Sequence, residues 1–135
     1  MEQSSKTLTF VVPAYNMETY LERCVESLLS ATDNSDIEVL IVDDGSSDGT
    51  PELADMYERR WPGNVRAIHQ VNKGHGGAVN TGIANATGMY VKVVDADDWV
   101  DMPSIDTLMG TLRVQRVATD PVDMIVTNYV YDKVG

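Results

Sequence analysis

A chain of 135 residues, 43% of them hydrophobic, fits one compact domain with its own core. Its formal net charge of −11 repels phosphate backbones and anionic lipid, so nucleic acid is excluded as a partner; a small phosphorylated ligand stays within reach where a bound cation reverses the local field. The single cysteine, Cys24, forbids an intramolecular disulfide and fits a reducing compartment, and no apolar run nears the roughly 20 residues of a membrane span.

Met1 to Lys6 is polar and lacks the apolar core of a signal peptide. Thr7 to Val12 is a short β-rich run. Leu21, Cys24, Val25, Leu28 and Leu29 then recur at helical spacing and give one apolar face, which makes Cys24 a core residue. Ile37 to Val42 reads as a second, buried strand. Thr50 followed by Pro51 predicts a helix start with a hydroxyl N-cap and proline at the first helical position. Leu53, Met56 and Tyr57 form that helix's inner face, and Trp61-Pro62-Gly63 ends it. Val65 to Val71 is a third strand. A glycine-rich loop, Lys73 to Gly77, leads into a helix closed by Gly88. Tyr90 to Val94, apolar except for Lys92, is a strand of the kind buried on both faces of a parallel sheet. Ile105, Leu108, Met109 and Leu112 mark another helix, and Met124 to Tyr131 a last strand. Repeated β-α units predict a doubly wound, mainly parallel α/β sheet, with its ligand site at the carboxyl ends of the strands.

Residues just after strands are therefore the candidates. Tyr15, after the first strand, offers a ring face to a base or packs beside a helix cap. The second strand runs into Asp43-Asp44-Gly45-Ser46-Ser47-Asp48-Gly49. Ser46 to Gly49 reads as turn chemistry, whereas Asp44 fits either a turn or a carboxylate accepting from a base or ribose. The segment Asn72-Lys73-Gly74-His75-Gly76-Gly77 opens a helix, where free N–H groups favour phosphate. It is neither a dinucleotide fingerprint, since Val79 stands at the third glycine position, nor a P-loop. His75 could donate to a phosphate, but a lone loop histidine is more often simply solvated. The fourth strand ends in Asp95-Ala96-Asp97-Asp98. Three carboxylates so close repel one another, which favours a bound cation over a solvated acidic loop, and hard oxygen ligands select Mg²⁺ or Mn²⁺.

Taken in order, Val12-Pro13-Ala14-Tyr15-Asn16, Val42-Asp43-Asp44-Gly45-Ser46, Asn72, Gly74, Asn80-Thr81-Gly82-Ile83, Ala86, Gly88 and Asp95-Ala96-Asp97-Asp98 resemble the family-2 glycosyltransferases of the GT-A fold. Each piece is weak and the ordered set is strong. The resemblance implies that residues 1–135 are the N-terminal, nucleotide-sugar-binding portion of a longer inverting enzyme, with a Rossmann-like sheet incomplete at the C-terminus. It implies a donor site of Pro13, Tyr15, Asp43, Asp44, Gly74, Asn80 and Asp95, with Asp44 on the uracil of a UDP-sugar. It implies metal ligation of Mn²⁺ or Mg²⁺ by Asp95 and Asp97, with Asp98 a competitor for direct contact.

The implied activity is transfer of a sugar to a polysaccharide, lipid-linked or other acceptor in cell-envelope glycan synthesis. The implied location is cytoplasmic, any membrane association coming from sequence outside this chain. Two departures stand out. Val79 replaces an arginine that many members carry before the asparagine of the fourth motif. The family's catalytic base is expected beyond Gly135, which predicts an inactive fragment prone to self-association. Three other readings compete. A dehalogenase-type phosphatase and a receiver domain both need their acidic pair after the first strand, which here ends at Pro13. A nucleotide-binding module without turnover remains an alternative.

Overall fold

The computed structural model describes residues 6–118 and 125–127. Among the described residues nine elements alternate: β1 (Leu8–Ala14), α1 (Leu21–Leu28), β2 (Ile37–Asp44), α2 (Thr50–Arg60), β3 (Val65–Gln70), α3 (Gly74–Asn85), β4 (Tyr90–Val93), α4 (Met102–Ala118) and β5 (Ile125–Thr127). The strands form one sheet in the order β3-β2-β1-β4-β5, and each paired neighbour is parallel. The chain builds outward from β1 to β3, then returns across β1 to lay β4 on its other side. That reversal opens a crevice beyond the carboxyl ends of β1 and β4, the position where open α/β sheets bind ligands.

Alternation along the central strands makes the two cores. Leu8, Phe10 and Val12 of β1 and Ile37, Val39 and Ile41 of β2 face one side, where they pack with Cys24, Val25 and Leu28 of α1, Tyr57 of α2, and Ile105 and Met109 of α4. Val11, Leu40, Val42 and Val91 face the other side, with Ala78 of α3. Each fully buried aliphatic or aromatic side chain in such a core contributes about 1.5–3 kcal/mol. The layer of α3 on β1 is close: a Cβ at Gly82 would overlap the Val11 side chain.

Several boundaries differ from the sequence reading. β1 continues through Pro13 to Ala14, because the β4 ladder ends at Val11 and a missing N–H costs no bond on that side. Thr50 is not the cap of α2. Gly49 is the N-cap, Thr50 lies inside the helix, and its hydroxyl accepts the Met17 N–H at 2.8 Å, while Asp48 Oδ1 takes the Thr50 N–H at 2.9 Å. α3 begins at Gly74, so His75 to Gly77 form its first turn rather than a loop; the Asn72 carboxamide accepts the Gly74 N–H at 3.2 Å and starts that turn. Gly88 does not close α3, which ends at Asn85. Of the expected last strand, Ile125–Thr127 is the part within the described residues, and the rest lies outside them. No helix among the described residues is long and apolar enough to cross a membrane.

Candidate functional site

The carboxyl ends of β1, β2 and β4, with the start of α3, enclose a cleft of about 370 Å³, within the size range of small-ligand sites. Six predicted residues line it: Pro13, Tyr15, Asp44, Gly74, Asp95 and Asp97. They come from three strand ends and one helix start spread over the sequence, and the strand order brings them together.

Tyr15 is 49% exposed on the cleft wall, and its ring is available to a planar ligand. The chain turns next to it at Asn16, whose φ is +52°. Asparagine tolerates that left-handed conformation when its side chain bonds locally. Here the Asn16 N–H donates to Ser46 Oγ at 2.9 Å and Asn16 Oδ1 accepts the Ser47 N–H at 2.8 Å. Gly45, at φ +74°, lets this loop pass: a Cβ there would stand 2.7 Å from the Asn72 nitrogen.

Asp44 is 2% exposed. Its Oδ1 accepts the Lys73 N–H at 2.8 Å and the Gln70 side-chain amide at 2.9 Å, which fixes the rotamer. No hydrogen bond from the described residues reaches Oδ2, which leaves an acceptor for a ligand N–H or O–H.

At the other end of the cleft, Asp95, Asp97 and Asp98 each offer a carboxylate oxygen, and these oxygens lie within 4.8 Å of one another. Asp98 is buried and Asp97 exposed. Among the described residues, neither Asp95 nor Asp97 forms an ion pair with lysine or arginine; His75 Nε2 lies 3.8 Å from Asp95 Oδ1 across the cleft. Three carboxylates this close to one another fit a divalent cation, the hard oxygen donors offsetting their mutual repulsion when one is bound. The acidic loop is seated on the core. The Cys24 thiol donates to the Asp95 carbonyl at 3.7 Å, and burial first, then the charges of Asp98, Asp95 and Asp97, push that thiol's pKa well above its ordinary value. It is an unreactive core residue, as its position on α1 predicts. Arg23 stacks over the Trp99 ring with its guanidinium carbon 4.4 Å from the centroid.

Two predicted residues are not brought to the cleft. Asp43 alternates to the opposite face of β2 from Asp44, where Oδ1 accepts the Ser46 N–H at 3.1 Å and Oδ2 meets His69 Nδ1 at 2.8 Å. Asn80 is exposed along α3 and does not line the cleft. Conversely, Ala14, Met17, Asn72, His75, Ala78 and Ala96 line the cleft without having been assigned to it. His75 was visible as a candidate donor, but only the early start of α3 puts it opposite Asp95. The small Ala14, Ala78 and Ala96 carry no chemical signal in the sequence; they leave room.

A parallel sheet with its crevice at the reversal of strand order, a carboxylate on one wall and an acidic cluster on the other, defines an α/β domain of the GT-A type. The family described as Glycosyl transferase family 2 matches residues 9–133, and the chain belongs to it. Among curated relatives, the putative glycosyltransferase EpsH of Bacillus subtilis is 35% identical over 122 residues, covering 90% of this chain and 33% of EpsH. Among solved structures, S. aureus TarS in complex with UDP-GlcNAc superposes with a TM-score of 0.71 at 26% identity, covering 79% of this chain and 31% of that one. The mannosyltransferase PcManGT from Pyrobaculum calidifontis, in complex with GDP-Man and Mn²⁺, superposes with a TM-score of 0.68 at 26% identity, covering 90% of this chain and 35% of that one. The chain thus spans about a third of the length of EpsH and of PcManGT, and a fifth of the length of TarS.

Proposed function

We propose that this chain is the donor-binding domain of an inverting glycosyltransferase that takes a UDP-sugar together with a divalent cation. The observation that carries the reading is Asp44, held by one oxygen and bare at the other, on the wall of a cleft that ends in the Asp95–Asp98 carboxylates. Tyr15 would stack on the base, and Asp44 Oδ2 would accept the N3–H of uracil. A guanine base also carries N–H donors, so GDP is the competitor against which the choice of UDP is tested. Gly74 and the free N–H groups opening α3, with His75 beside them, suit the diphosphate. Asp95 and Asp97 would hold Mn²⁺ or Mg²⁺, which when bound stabilises the charge of the departing diphosphate.

Transfer would follow the inverting course. An acceptor hydroxyl attacks the anomeric carbon from the side opposite the diphosphate, the new C–O bond forms as the bond to the diphosphate breaks, and the hydroxyl proton passes to a base. We place that base, and the site for a glycan or lipid-linked acceptor of the cell envelope, in the part of the relatives that this chain does not span.

Calorimetric titration with UDP, GDP, ADP and CDP, each with and without Mn²⁺, tests the reading. UDP should bind most tightly and need the metal for most of its affinity. Tighter binding of GDP would replace the donor assignment, and no nucleotide binding at all would remove the function.

A further inference from the structure

β3 ends in two residues that each hold one carboxylate of β2. Gln70 lies beside Asp44 and His69 beside Asp43 in the ladder. His69 is clamped at both ring nitrogens: Nδ1 is 2.8 Å from Asp43 Oδ2, and Nε2 is 2.7 Å from Asp55 Oδ1 on α2. A neutral imidazole has one N–H and one bare lone pair, so it satisfies one carboxylate and turns a lone pair on the other. Only the doubly protonated ring donates to both.

Asp43, 3% exposed, cannot turn to water instead. Its other oxygen holds the Ser46 N–H at 3.1 Å; Ser46 Oγ holds the Asn16 N–H at 2.9 Å, and the Ser47 N–H returns to Asn16 Oδ1 at 2.8 Å. The chain of contacts therefore ends at the strained Tyr15–Asn16 corner on the cleft wall.

We propose that His69, held as an imidazolium between Asp43 and Asp55, is a positioning residue for nucleotide binding that sets the Tyr15–Asn16 corner through the loop after β2. The proposal rests on the donor-site reading above. The charged groups facing the ring are Asp43 from β2 and Asp55 from α2. Of the others on these elements, Glu58 accepts the Ala67 N–H, Arg60 lies over the Tyr57 ring, and Asp44 and the Arg66–Glu38 pair belong to the opposite face of the sheet. The hydrogen bonds to Asp43, then to Asp55, raise the pKa of His69 above its ordinary 6.5, against the lowering effect of burial. Because the folded value is raised, the brace is complete at and below the ordinary value and is lost as pH climbs through the raised one.

The test uses the whole chain and UDP-GlcNAc with Mg²⁺, whose diphosphate diester does not titrate near neutrality. Dissociation constants are measured from about pH 6 to about pH 8.5, the range where histidine changes charge, for the wild type, Asp55→Asn and His69→Gln. The wild type should bind at least about threefold more weakly at the upper end, the scale of one lost hydrogen bond. Asp55→Asn should flatten that profile, because an amide can donate to the bare nitrogen of the neutral ring as readily as accept from the charged one. It leaves His75, which lines the cleft, untouched and so separates the two histidines. His69→Gln should bind weakly and without a pH slope. A flat wild-type profile, or an Asp55→Asn profile as steep as the wild type, overturns the proposal. The Ser46 and Asn16 amide resonances, followed against His69 titration without ligand, report on the brace alone. If UDP-GlcNAc fails to bind at every pH while these amides track His69, the donor reading falls and the brace stands; amides that ignore the titration sink the brace.

Discussion

Gln70 and Asp44 end neighbouring strands side by side, and the Gln70 amide donates to Asp44 Oδ1 at 2.9 Å. The Lys73 N–H reaches the same oxygen from the start of α3. One oxygen is thus spent on the protein and the other kept for whatever enters the cleft. A carboxylate fixed in this way discriminates, because a ligand that lacks the matching N–H leaves a buried charge unsatisfied.

Asp44→Ala should therefore level the preference among nucleotides. A hydrogen bond to a charged group is worth about 1.5–3 kcal/mol, so the UDP dissociation constant should rise roughly ten- to a hundredfold, while those of ADP and CDP change much less. Competition titration reads this directly, and an unchanged ranking would show that Asp44 does not touch the base. Gln70→Ala, which frees the carboxylate to rotate, should reproduce the same trend at smaller size.

The acidic cluster makes a separate prediction. Asp97 is exposed and bears no structural hydrogen bond among the described residues, so Asp97→Asn should leave the fold intact. It should remove most of the metal-dependent part of UDP affinity and leave the base contacts. The measurement is UDP binding with Mn²⁺ and with EDTA for both proteins. Equal affinity in all four combinations contradicts a metal role.

Acid stability should depend on Arg113. Its guanidinium meets Asp36 bidentately, Nε to Oδ2 at 2.9 Å and a terminal nitrogen to Oδ1 at 2.7 Å, and it joins α4 to the turn before β2. The Arg113 hydrogen bond leads the causes that lower the Asp36 pKa below its ordinary 3.8, with burial opposing it. A lowered folded value means that the stabilisation is present above the ordinary value and fades as pH falls through the lowered one. Arg113→Ala should cost roughly 1 kcal/mol at neutral pH, discounted for a partly exposed pair, and less at acid pH, where the hydrogen bond to the Asp33 carbonyl is what remains. Urea denaturation at the two pH values measures the difference.

Gly45→Ala should impair both folding and binding. A left-handed φ costs a non-glycine residue about 1–2 kcal/mol, and the new methyl would press on the Asn72 nitrogen. Asn72 also donates to the Asp44 carbonyl at 2.9 Å, so the displacement reaches the cleft wall. Thermal melting should fall and UDP binding weaken together; a variant with full affinity would mean that the Asn72 contact is incidental.

The sheet was legible because Ile37 to Val42 and Tyr90 to Val94 are runs of strand length that are apolar except for Glu38 and Lys92, and the acidic site because Asp95, Asp97 and Asp98 follow one of them directly. Asp43 shows what a linear reading loses. It sits beside Asp44 in sequence, but the two-residue period of a strand turns it to the other face and into a bracing role. His69 carried no signal within its strand, since Asp43 and Asp55 come to it from 26 and 14 residues away. Thr50 failed as a cap for a related reason: Met17, distant in sequence, competes for its hydroxyl.

Cys24 gives the protein a built-in reporter. It is the chain's only cysteine, it is fully buried, and its sulfur touches the backbone of the acidic loop. In the closed molecule an alkylating reagent finds no thiolate and no path, so each labelling event records an excursion in which α1 and that loop part. The labelling rate consequently counts those excursions without any engineered probe. Ligands that tie Asp95 and Asp97 together should make them rarer, so occupancy at the surface would be audible as silence in the core.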